Sequence, residues 1–150
     1  MKKQLAALAI LLTFGAPTQA GVYTDELAKC LVSSTSPQDR AALVRWMFIA
    51  ASHHPAVKDI ASVSSAQIND GNRSTADLFV KLMTESCREQ TSNAVKFEGP
   101  IAIQGGFQVL GQVAGQELFT SPAVASAMAD LQSFIDQEKI EAVLSPTATP

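Results

Sequence analysis

A chain of 150 residues with 14 acidic and 11 basic side chains is long enough for one domain with a real core. Its formal charge of −3, with no lysine–arginine run, excludes the electrostatic footprint that nucleic acid or an anionic lipid surface demands. Two cysteines, with no C-x-x-C, no C-x-x-C-H and no second Cys/His pair, exclude the redox, haem and zinc patterns.

Met1, Lys2 and Lys3 make a short basic start, and Leu5 to Phe14 is almost unbroken apolar sequence. Gly15 and Pro17 then break any helix, and Thr18 and Ala20 put small residues before a cleavage point at Gly21. This is the layout of a cleavable secretory signal peptide over residues 1–20. The apolar run is about half the roughly 20 residues that a spanning helix needs, so a membrane anchor fits poorly. No cysteine follows at the cleavage point, which speaks against a lipoprotein anchor. Cleavage removes Lys2 and Lys3, leaving 9 basic residues of the 11 against 14 acids and a net charge of −5. The mature protein is therefore expected in the periplasm, with full secretion the alternative, and without stable membrane insertion. In an oxidising compartment Cys30 and Cys87 are expected to pair as a disulfide.

The mature chain reads as all-α, a compact bundle of about five helices forming a single domain at 21–145, with a disordered tail at 146–150. Thr24, followed by Asp25 and Glu26, suits an N-cap and opens a first helix to about Ser33. Ser36, Pro37 and Asp39 form a capping-box variant with proline at the first helical position. The second helix runs from there to about His53 and stops ahead of Pro55. Ser64 and Gln67 repeat the box. The third helix is expected from about Ala66 to Ser92: Ile68 and Phe79 lie about 20° apart at 100° per residue, so the apolar phase survives Gly71. Gly99-Pro100 punctuates, Ile101 to Phe119 makes a fourth helix, and Ser121-Pro122 opens a fifth from about Ala123 to Gln137. Ile140 to Leu144 adds a short turn.

Helix two is apolar nearly all round, with Arg45 its only charge between Ala41 and Ala51. Such a helix belongs in a core; the functional alternative is a ligand groove lined by Trp46, Met47 and Phe48. In helix four, Gln104, Gln108, Gln112 and Gln116 recur every four residues as an amide stripe. The stripe reads first as a solvated face and second as a surface for a peptide, glycan or other neutral polar ligand. Gly111 and Gly115 form a small-xxx-small pair where a neighbouring backbone would come close. Glu117 falls in phase with Leu110 and Ala114, and Arg40 with Leu43 and Met47, so a buried Arg40–Glu117 ion pair is expected. His53 and His54 diverge by about 100° on a helix and cannot share one metal. No nucleophile–base set, P-loop or paired-carboxylate constellation occurs, so neither a metal nor a cofactor is expected.

Three segments, Cys30-Leu-Val-Ser-Ser-Thr35, Asp39 to Phe48 and Phe107 to Leu118, resemble an uncharacterised family of small exported proteins of Gram-negative bacteria. The resemblance implies export and a helical domain, and carries no activity or site residue. The function expected from these readings is non-enzymatic binding of a periplasmic partner protein or small ligand. An inhibitor or immunity protein for an envelope enzyme is one alternative, and an enzyme using Glu117, Arg40 and a histidine is another.

Overall fold

Local capping signals decide where several helices begin in the computed structural model, which describes residues 21–144. The expected leader and the C-terminal tail lie outside the described residues. All regular structure among the described residues is helical: α1 (Val22–Ser33), α2 (Pro37–Ala51), α3 (Ser65–Lys81), α4 (Arg88–Glu98), α5 (Ile101–Thr120), α6 (Pro122–Ala129) and α7 (Gln137–Leu144). A π-helical turn, Leu82–Ser86, joins α3 to α4, and a 3-10 turn, Asp130–Phe134, follows α6.

Two of the expected starts form as capping boxes. Ser36 accepts from the Asp39 N–H while the Asp39 carboxylate takes the Ser36 N–H, and Ser64 and Gln67 reciprocate in the same way. The start of α1 differs. Gly21 is its N-cap and supplies no side-chain bond, while Thr24 lies inside the first turn and is buried. The orphan N–H groups of that turn find their acceptor on a distant residue, Glu98.

Among the described residues seven helices replace the expected five because the third and fifth expected helices break. Helix three does continue through Gly71, where a Cβ would come within 2.6 Å of Ile49 Cδ1, so α2 and α3 approach closely there. It breaks instead at Cys87, whose N–H bonds the Leu82 carbonyl at 2.8 Å across five residues. The added residue advances the helical phase. Leu78 and Leu82 face the core at the usual spacing of four, and the wider turn then brings Cys87, rather than Ser86, inward. Cys87 meets Cys30 in a disulfide with Cα atoms 5.8 Å apart. The second break falls at Asp130–Phe134. Asp136 then accepts from the Lys139 N–H at 3.1 Å and restarts the chain as α7.

Gly99, at φ 85°, ends α4 in a conformation that side-chain-bearing residues rarely adopt, and Pro100 opens the way into α5. The core gathers Leu27 and Leu31 of α1, Leu43 of α2, Leu78 and Leu82, and Ala102, Leu110 and Ala114 of α5. Helix α1 packs against α4, α5 and the π turn, and α2 packs against α3 and α5. Close approach along α5 occurs at Gly105 and Gly106, where added Cβ atoms would meet Thr24, Leu27 and Leu31. The expected pair, Gly111 and Gly115, has open space around it, because α1 crosses α5 one to two turns earlier.

The last elements stand apart. Helix α6 touches only the end of α5 and the 3-10 turn, and α7 packs against no other element among the described residues.

Candidate functional site

The residues singled out from the sequence do not converge. Trp46 and Met47 meet Phe79, Phe107 and Leu110 around a cleft of about 70 Å³. That is well below the few hundred Å³ typical of a small-molecule site. Trp46 donates its indole N–H to Asn72 Oδ1 at 3.0 Å, and its ring meets Phe79 edge-on at 6.3 Å between centroids. Phe79 in turn packs on Phe107 at 4.3 Å, so this is an aromatic seam between α2, α3 and α5. Phe48 is left out of it at 61% exposed. Gln104, Gln108, Gln112 and Gln116 are all exposed, and the first three line none of the hollows described here.

Arg40 and Glu117 do come together, with Nε to Oε2 at 2.8 Å, but at the surface. Their side chains are 21% and 45% exposed, which corrects the expected burial. Residues 116–120 of α5 are all exposed, so the helix has run past the core before it reaches Glu117. Arg40 also donates Nη1–H to the Thr35 carbonyl at 2.8 Å, tying the α1–α2 connection to α5. His53 and His54 are exposed beyond the other end of α2, about 20 Å along the helix axis from Arg40 at 1.5 Å per residue. His54 Nδ1 accepts from the Ala56 N–H at 3.2 Å. Among the described residues no cluster of three or more His, Cys, Asp or Glu is arranged to hold a metal, and no helix is long and apolar enough to cross a membrane.

Sequence reasoning missed an apolar hollow. It lies open between α1 and α5, measures about 570 Å³, and is walled by Ala28, Val32, Val109 and Val113 with Asp25, Lys29 and Ser33 around them. A second hollow of about 460 Å³ shares Val32 and Val113 and continues to the Arg40–Glu117 pair and Thr120. The two make one groove along α5 from Val109 to Thr120, about 16 Å at the helical rise. The available signal was Val109 and Val113, four residues apart and belonging neither to the amide stripe nor to the buried stripe of Ala102, Gly106, Leu110 and Ala114.

The other missed feature is the C-terminal arm, α6 to α7. None of its residues is buried. Met128, Leu131, Phe134, Val143 and Leu144 are all more than half exposed, Phe134 at 84% and Val143 at 83%. On α7, Ile140, Val143 and Leu144 fall at i, i+3 and i+4 and form one apolar stripe. The arm is also acidic, with Asp130, Asp136, Glu138 and Glu141 against Lys139 alone.

Comparison with protein-family models, with characterised proteins and with solved structures gives no match to this chain.

Proposed function

We propose that this protein is an exported, non-enzymatic helical domain that works by docking to a protein partner through its C-terminal arm. One observation carries the reading. About a sixth of the chain folds into helices that bury nothing, yet displays large apolar side chains from Phe119 to Leu144. Large apolar side chains left bare along a whole arm mark an interaction site. The stripe on α7 has the spacing of a helix that seats in a partner's groove. Export is supported by the Cys30–Cys87 bridge, a bond that persists in oxidising compartments, together with the leader read at residues 1–20.

The test places a photo-reactive residue at Phe134 in the full chain, expressed with its leader, and the same probe at Gln104 as a control. Irradiation should yield a discrete protein adduct from position 134 and none from 104, in material whose N-terminus is Gly21. Equal labelling from both sites, or none from 134, would overturn docking by the arm. Material in the cytoplasm that retains Met1 would overturn export.

A further inference from the structure

We infer that removal of the leader sets the α-ammonium of Gly21 against the Glu98 carboxylate, so that cleavage itself completes the clasp between α1 and α4. The inference rests on the export reading above and adds what cleavage does to the folded domain. Gly21 is the N-cap of α1 and has no side chain to cap it. The Glu98 carboxylate lies in the space that a side chain there would fill, since an added Cβ would collide with Oε1, Cδ and Oε2 together. The Gly21 nitrogen and that Cβ position are bonded to the same Cα, about 2.5 Å apart by standard geometry. The carboxylate is therefore within ion-pair reach of the nitrogen, and any other residue at the first position would push it away.

Glu98 already accepts from the Tyr23 N–H, the Thr24 N–H and the Thr24 hydroxyl. An ionised carboxylate offers about four acceptor sites, so one more donor fits. Hydrolysis of the Ala20–Gly21 bond gives the hydroxyl of water to the Ala20 carboxyl group and a hydrogen to the Gly21 nitrogen, which takes up a proton at neutral pH. A neutral amide thus becomes a cation at the helix end where the macrodipole disfavours one, and a carboxylate in contact with it offsets that cost. Other charges near this corner are few. Asp25 and Glu26 lie a turn further along α1, and Lys96 of α4 sits 5.0 Å over the Phe97 ring. Helix α5 carries no charge from Ile101 to Gln116. Glu85 of the π turn lies close to Cys87, which is bonded to Cys30 towards the other end of α1.

The test uses the mature chain with its disulfide formed, released from a fusion by a protease that leaves Gly21 first. Acetylating the Gly21 amine should lower the melting temperature at pH 7 by a few degrees, and should cost clearly less in Glu98→Gln, where the carboxylate is absent. A paired α-amine is held charged to higher pH than a free one, so its contribution is present at neutral pH and lost as the pH rises through the amine's titration. The chain that begins at Gly21 should therefore lose stability between pH 7 and about 9, the range above a free α-amine's value near 8. The acetylated chain and Glu98→Gln should lack that loss. The same pH slope in all three, or an acetylation cost equal with and without the Glu98 charge, overturns the inference whether or not the protein is exported. Exported material that begins at a residue other than Gly21 overturns it from the other side, with the pair still measurable in the released chain.

Discussion

Glu98, at the end of α4, holds the first turn of α1 through Thr24: its Oε2 accepts the Thr24 hydroxyl at 2.6 Å and the Thr24 N–H at 2.9 Å. Oε1 takes the Tyr23 N–H at 2.8 Å. A carboxylate at the positive end of a helix does in space what a local N-cap does in sequence. Stacking of Tyr23 on Phe97, at 4.6 Å between ring centroids, fastens the same junction.

The hydrogen bond from the Thr24 hydroxyl, with those from the Tyr23 and Thr24 N–H groups, holds the Glu98 carboxyl below its ordinary value of 4.5. A depressed carboxylate contributes stability that is present above the ordinary value and is lost as pH falls through the folded one. Glu98→Gln should therefore lower the melting temperature at neutral pH, and its gap from the parent should close as the buffer is taken well below pH 4.5. A gap that stays constant to strong acid would show that the charge has no part in the cap. Gly21→Ala should act on the same contact, since a Cβ there would collide with the Glu98 carboxylate. The double variant should lose less than the sum of the singles.

Arg40 and Glu117 are predicted to be unequal. A pair this exposed contributes at most about 1 kcal/mol, so Glu117→Ala should shift stability by less than that. Arg40→Ala also deprives the Thr35 carbonyl of its donor within a buried residue, and should cost about 1–2 kcal/mol. Denaturant titration of the two variants separates them. Equal losses, or a loss of several kcal/mol from Glu117→Ala, would contradict the exposed geometry.

What the sequence disclosed was local. Ser36 with Asp39 and Ser64 with Gln67 are three residues apart, and both boxes form where their spacing places them. Thr24 was misjudged because its partner lies 74 residues away, and nothing near Thr24 points to Glu98. The helix through Gly71 was readable from the apolar phase, whereas the π turn before Cys87 was not. There the phase changes by a single residue, and the reason lies in the position of Cys30 on another helix. The Arg40–Glu117 pairing was readable from phase, but its depth was not, since periodicity cannot tell where α5 outruns its neighbours. The groove and the arm stayed hidden for a related reason. An apolar residue reads the same in sequence whether it is packed or bare.

Thr75 offers a stabilising change. It is 3% exposed, and its hydroxyl has no hydrogen-bond partner among the described residues. A buried unsatisfied hydroxyl carries its desolvation penalty without compensation, and valine keeps nearly the same shape without the polar atom. Thr75→Val should raise stability by about 1 kcal/mol, visible as a melting temperature a few degrees higher. A lower melting temperature would mean that the hydroxyl is satisfied in solution.

The Cys30–Cys87 bridge closes a long loop, with a sequence separation of 57, and fastens α1 to the π turn at the centre of the bundle. Restricting a loop of that length in the unfolded chain is worth about 4 kcal/mol in the chain-entropy account. Cys87 is completely buried, so serine there would add an unsatisfied hydroxyl to the loss; alanine at both positions isolates the bridge more cleanly. Cys30→Ala with Cys87→Ala should lower unfolding stability by about 2–5 kcal/mol and leave helix content largely intact at low temperature. Reductant should destabilise the parent by a similar amount and leave the double variant unmoved. Protein recovered without reductant should weigh two hydrogens less than its reduced form. Two free thiols in that material, or a parent indifferent to reductant, would remove the bridge from the account of this fold's stability.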